Sequence, residues 1–302
     1  MDSESIIMVQ GYLVSGIAAF LWGLSPLLID KIKWRSHTIT LIRNLSALLI
    51  AGFIILATNK SVKIDLGILT LLIILGFSGP GLADQLFVSS MKLIGANMAT
   101  VLSYTYVFWA SYIAHLINLE RISLYDIIGS SVAFIGLFIG LRDRFYTNFD
   151  KKYILGMSLS LFSGFLWGIS TIISKIIVVD LDPLIIVFYR SIFAVILMFL
   201  IVSINYMVSK ESFRNINDGD TYRNLLLISI SGLISFLFAY VLFLIGLYSI
   251  GVVIPSLITL SSPIITIILS RYIKKYIISK DVYMGAASII AGLLIASIKY
   301  FY

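Results

Sequence analysis

The feature that most constrains this 302-residue sequence is a succession of long apolar runs separated by short charged breaks. A helix crossing the hydrocarbon layer needs about 20 mostly apolar residues. Reading for runs of that length gives ten: 10–29, 38–57, 66–90, 95–117, 124–141, 153–174, 183–207, 223–248, 251–270 and 282–299. The longest break, Ser209 to Tyr222, carries Lys210, Glu211, Arg214, Asp218 and Asp220, and is too short to fold as a domain. The expected fold class is therefore an all-α polytopic membrane protein with ten transmembrane helices.

Composition closes off the alternatives. The chain is 60% hydrophobic and 12% charged, whereas soluble domains run at about 45–50% apolar and about 25% charged. Disorder is excluded by the same apolar excess. The net charge of +7 comes from basic residues in the breaks, where membrane topology accounts for them and nucleic acid does not. With no Cys and only two His, neither a disulfide nor a metal site is expected, and no cofactor is implied. His37 falls in a loop and His115 near the end of the fourth span. No Lys or Arg precedes the first apolar run and no small-residue cleavage site follows it, so that run reads as a retained helix.

The third span contains Gly76-Phe77-Ser78-Gly79-Pro80-Gly81. Proline removes a backbone donor and glycine weakens a helix. Within a membrane such breaks persist where neighbours or a watery cavity satisfy the freed carbonyl groups. Gly79, Pro80 and Gly81 are thus candidate gating positions, as is Pro263 in the ninth span.

The chain also repeats itself. Phe20-Leu21-Trp22-Gly23 recurs as Phe165-Leu166-Trp167-Gly168, and Arg43 matches Arg190. Ile94-Gly95 matches Ile250-Gly251, and Gly129 and Gly136 match Gly285 and Gly292, all at an offset of 156. Ten spans become five plus five, with halves at 1–147 and 148–302. An odd number of crossings per half inverts the second copy relative to the first. Inverted repeats are common in secondary transporters, whose sites lie at mid-membrane between the repeats and whose halves rock to alternate access.

In these residues the chain resembles the drug/metabolite transporter superfamily, in its ten-helix EamA-type branch. The resemblance rests on the two Leu-Trp-Gly motifs, Arg43 and Arg190, Ser262-Pro263, and the turn Leu119-Glu120-Arg121. It covers nearly the whole chain. Two departures are visible: Tyr104-Thr105-Tyr106 stands where many relatives have Ser-Pro, and Tyr276-Ile277 replaces a second Glu turn. The resemblance implies export or exchange of a small metabolite, amino acids and drug-like compounds included. The implied partners are that substrate, the lipid bilayer, and protons or a counter-substrate, with a monomer or a homodimer as the assembly. The expected location is the plasma membrane of a prokaryote.

An ionisable residue deep in a span costs about 2.5–3.5 kcal/mol on insertion scales, so Arg43, Asp84 and Arg190 call for an explanation. Each arginine can anchor its helix to carbonyl groups or meet an anionic substrate group, and polar Asn44 beside Arg43 adds to the second reading. Asp84 has no carboxylate counterpart, because the repeat places Tyr240 at the matching position. It can bind a proton or a substrate amine, neutralise Arg43, or simply lie near the membrane surface. Lys92 and Lys175 lie near helix ends, where long side chains snorkel. Trp22, Trp167, Tyr104, Tyr106, Trp109, Tyr189 and Tyr240 form an aromatic set suited to cavity walls, with a membrane-interface belt as the alternative. Ser261 and Ser262 supply a polar wall in the ninth span. Gly136 and Gly140 are assigned to close helix packing. The candidate substrate-binding set is Trp22, Arg43, Asn44, Tyr104, Trp167, Arg190, Tyr240 and Ser262, with Asp84 as the proton-coupling candidate.

Two further readings compete. A membrane scaffold or lipid scramblase needs no metabolite cavity. An intramembrane serine hydrolase would use Ser78 with His115 as its base, but the short Gly-x-Ser-Gly match is cheap and Ser163-Gly164 nearly repeats it. Orientation is divided as well. Fifteen of the 22 Lys and Arg lie in the odd-numbered connections and five in the even-numbered ones and the C-terminal stretch. The positive-inside rule puts the first group in the cytoplasm, while the resemblance implies the opposite.

Overall fold

The computed structural model describes residues 3–60, 63–141, 150–209, 220–274 and 280–300. Among these residues the chain is helical throughout, with no strand. The first half gives α1 (Ser3–Ile29), α2 (Ser36–Ala57), α3 (Leu66–Gly76), α4 (Asp84–Ile94), α5 (Ala96–Ser103), α6 (Tyr106–Leu116) and α7 (Leu124–Leu141). The second gives α8 (Lys151–Ile177), α9 (Pro183–Ser209), α10 (Thr221–Gly232), α11 (Ala239–Ile250), α12 (Val253–Thr259), α13 (Ser262–Lys274) and α14 (Lys280–Ser297). Nine helical stretches among the described residues are long and apolar enough to cross a membrane. The tenth crossing is α5 with α6, two pieces joined end to end at Tyr104-Thr105. The ten-span, two-repeat reading holds.

The repeat extends into the irregularities. The third span of each half passes through a π-helical segment, at Phe77–Ala83 in the first half and Leu233–Phe238 in the second. The fourth span of each half is split, at Tyr104-Thr105 and at Leu260-Ser261. Both discontinuous spans begin after a glycine with positive φ, Gly95 at +79° and Gly251 at +81°. Their ψ values of 156° and −161° place them in a region open essentially to glycine alone.

Two sequence expectations change. The fourth span, read as continuous over 95–117, is interrupted in its middle, because Tyr104 and Thr105 form a turn. The interruption attributed to Gly79-Pro80-Gly81 is a widening of the helix that also occurs over Leu-Ile-Ser-Phe-Leu-Phe, with no Gly or Pro in the segment. Proline is therefore not required for this geometry. The carbonyl groups it frees are taken by Asn44 Nδ2 at Pro80 O (3.0 Å), Ser163 Oγ at Ala83 O (2.8 Å), Trp22 Nε1 at Ser235 O (3.0 Å) and Arg190 Nη2 at Phe236 O (2.9 Å). Each bond satisfies an acceptor that would otherwise be costly in hydrocarbon.

Packing crosses the halves. α1 lies against α10–α13, and α8 lies against α3–α6. The α2 helix packs on α9 and α10, and α9 on α2 and α3. Each half therefore lends its first two helices to the middle spans of the other, giving two mixed bodies with α2 and α9 at the seam. Glycines permit the closest approaches there. A Cβ on Gly232 would sit 2.4 Å from Arg43 O, and one on Gly76 would sit 2.5 Å from Arg190 O. These two glycines are again 156 residues apart.

On the flank, α7 and α14 pack along each other through Gly129, Gly136, Gly285 and Gly292. An added Cβ there would meet the facing backbone at 2.4–2.8 Å. The glycine stripe assigned to packing is thus consumed inside the chain.

Candidate functional site

The two mixed bodies enclose a cavity of about 250 Å³. Its centre holds three ionisable side chains, all buried: Arg43, Asp84 and Arg190. Arg43 Nη1 donates to both Asp84 oxygens, at 2.9 and 3.2 Å, and Nη2 donates to Ser235 Oγ at 2.8 Å. Thr40 Oγ1 adds a bond to Asp84 Oδ2 at 3.2 Å. The Arg43 guanidinium also covers the Phe236 ring, 4.2 Å from its centroid. Of the roles open to Asp84 in the sequence, the structure displays the neutralising one, with the carboxylate buried inside the protein.

Arg190 is placed differently. Its guanidinium carbon lies 3.2 Å from the Tyr240 ring centroid, and Nη2 donates to Phe236 O. Among the described residues it makes no ion pair, and its Nε has no hydrogen-bond partner. The repeat explains the contrast. Asp84 and Tyr240 occupy matching positions, so the first-half arginine meets a carboxylate and the second-half arginine meets a ring.

The walls are aromatic. Trp167 packs against Phe87, Tyr104 and Tyr106, with centroids 5.2, 6.5 and 6.3 Å away. Trp22 packs edge-on against Phe243 at 5.1 Å. Ser170, Thr171, Thr259, Ser262 and Thr266 supply the polar remainder of the lining.

Ten crossings bring the start of α1 and the end of α14 to one end of the bundle, here the near end. Toward the far end the lining continues through Ile29, Met91 and Thr100, at or near the far-end termini of α1, α4 and α5. Toward the near end the cavity stops at two hydroxyl pairs joining the mixed bodies, Tyr106 with Thr259 and Tyr240 with Ser174. Behind them, Lys175 Nζ donates to Leu247 O at 2.6 Å, and Glu120 accepts from the Val252 amide. Lys299 bridges Glu120 and Asp126 at 3.2 and 3.0 Å. Leu244, Leu247, Val252 and Val253, all fully buried, pack this end.

A family model of EamA-like transporters matches the chain twice, over residues 9–142 and 154–298. The chain belongs to the EamA-like transporter family. A solved crystal structure superimposes with a TM-score of 0.78 at 14% identity, covering 96% of this chain and 98% of the other. That likeness shows a shared fold. No curated protein matches the chain significantly.

Within this EamA-like transporter, the cavity gathers Trp22, Arg43, Asp84, Tyr104, Trp167, Arg190, Tyr240, Ser262, Gly79, Pro80 and Pro263 from the sequence candidates. Asn44 and Gly81 lie outside its lining. Asn44 is fully buried and ties α2 to the π-helical segment through Pro80 O, while a Cβ on Gly81 would meet Gly76 O at 2.8 Å. Trp109 is 40% exposed and packs on Phe165, and Tyr189 packs on Phe188, so neither reaches the cavity. His37 is buried in the first turn of α2 instead of lying in a loop. Ser78 Oγ is buried and has no hydrogen-bond partner among the described residues. Tyr276-Ile277 lie outside the described residues.

Sequence reasoning missed Ser235 and Phe236, which hold both arginines. A signal was available, because the offset of 156 carries Gly79-Pro80 onto Ser235-Phe236.

Proposed function

We propose that this transporter moves a small metabolite, an amino acid or similar or a drug-like compound, by alternating access, as an exporter or exchanger in a prokaryotic plasma membrane. The observation that carries the reading is one buried cavity between two repeat-related bodies, continued toward the far end and sealed toward the near end by bonds joining those bodies. The bodies that rock are the mixed ones, because α1 and α2 travel with the middle spans of the second half, and α8 and α9 with those of the first. In the opposite state the Tyr106–Thr259, Tyr240–Ser174 and Glu120–Val252 contacts part while the far end closes.

The substrate rests against Trp22, Tyr104, Trp167, Tyr240 and Ser262, with Arg190 and the Arg43–Asp84 pair supplying charge. Asp84 is the candidate for proton coupling, since a proton arriving there would release Arg43. Thermal stabilisation of the purified chain across a metabolite panel tests the reading, because a ligand that binds the folded state raises its stability. Compounds that stabilise should then exchange across proteoliposomes. A panel without stabilisation, together with lipid flipping by the same vesicles, would favour a scramblase. Transport by Asp84→Asn with unchanged pH dependence would remove the proton from the mechanism.

A further inference from the structure

From the guanidinium of Arg190, which has no carboxylate partner among the described residues, we infer that the substrate is a monoanion, a carboxylate on an apolar body, which supplies that partner. The inference rests on the transporter reading above and narrows its substrate. Three charged side chains line the cavity, two cationic and one anionic. Among the described residues Asp84 forms its ion pair with Arg43 and accepts a further bond from Thr40, and its charge also acts on Arg190 through space. The site therefore carries one net positive charge in the middle of a membrane, where an unbalanced charge is expensive.

The duplication shows what is missing. Arg43 has a carboxylate from the position 41 residues further along the chain. Arg190 finds the Tyr240 ring at the corresponding position, and keeps an unbonded Nε. A planar guanidinium with free donors is matched by a carboxylate, which it holds through charge-assisted bonds.

Charge number selects further. A monoanion brings the site to neutrality. A zwitterion leaves it at +1, a cation raises it to +2, and a dianion overshoots to −1. The rest of the lining specifies the body of the ligand. Trp22, Trp167, Tyr104 and Phe87 present rings, so an aromatic or branched apolar group fits beside the carboxylate.

Four small molecules of nearly one shape separate these cases: phenylacetate, L-phenylalanine, phenylacetamide and phenethylamine. Melting of the full chain in detergent should rise saturably with phenylacetate and more than with the other three. Arg190→Gln should weaken the phenylacetate response at least tenfold while the variant stays folded, because the substitution removes an unpaired buried charge. Tyr240→Asp, which installs the missing carboxylate, should abolish the response without lowering the melting point of the ligand-free chain below that of Arg190→Gln.

An equal or larger shift from the zwitterion, the amide or the amine overturns the monoanion and leaves the transporter reading in place. A phenylacetate response that survives Arg190→Gln also overturns it. Silence from all four overturns it too, and silence across the wider metabolite panel counts against the transporter reading itself.

Discussion

Replacing Asp84 by Asn tests the centre of the site. The substitution keeps the shape of the side chain and removes its charge. Both partners are buried, with side chains 8% exposed, so Arg43 would be left as an unpaired cation in a low-dielectric interior. Removing one member of a buried pair costs about 3–5 kcal/mol. The contacts that remain, from Ser235 Oγ and the Phe236 ring, are already present in the native chain and return nothing new. The net loss should be about 3 kcal/mol or more, a fall of roughly 10 °C in melting midpoint. Tryptophan fluorescence during heating in detergent measures it. The double variant Arg43→Met with Asp84→Leu removes both charges at similar volume and should recover most of the loss, a coupling that a double-mutant cycle isolates. A single variant within about 0.5 kcal/mol of wild type, or a double variant worse than the two singles combined, would refute the reasoning.

Other substitutions follow from close approaches. Gly232→Ala and Gly76→Ala should each destabilise the chain by more than 1 kcal/mol, the order of overpacking penalties, because the new methyl groups meet the backbones of Arg43 and Arg190; heat-scan melting reads both. Gly95→Ala and Gly251→Ala should each cost about 1–3 kcal/mol for backbone strain, with Gly251→Ala the more harmful because its Cβ would also lie 2.8 Å from Glu120 Oε2. The order of their melting points checks this. Gly292→Leu should disrupt the α7–α14 contact, since even a Cβ there lies 2.4 Å from Gly129 O; loss of a monodisperse peak in size-exclusion chromatography is the readout.

Much of the fold was legible because it is written in length and recurrence. Runs of apolar residues mark the spans, and Phe-Leu-Trp-Gly with the paired arginines marks the duplication. The split fourth span was not legible, because Tyr104 and Thr105 are ordinary helix residues and the turn there depends on contacts with α8. A Cβ on Gly164 of that helix would lie 2.6 Å from Ser103 O. The π-helical segment of the second half was hidden for the same reason, since nothing in Leu233–Phe238 discourages a regular helix. The charged residues were the easiest site members to find, because burying charge in a membrane is costly enough to stand out. Asn44 showed the limit of that argument. Its polarity suggested substrate, while its amide in fact meets the Pro80 carbonyl. The exchange of first helices between halves leaves no local sequence signal at all.

The absence of native cysteine allows the central claim, one cavity reached in turn from both sides, to be tested directly. Ser170 lines the cavity and is buried, and Ser170→Cys changes little else. Sealed vesicles containing this variant are treated with a small anionic methanethiosulfonate, applied to the outer face in one preparation and the inner face in another. The account predicts modification from either face while the vesicles stay tight to ions. Modification from one face alone, at any substrate concentration, would contradict it.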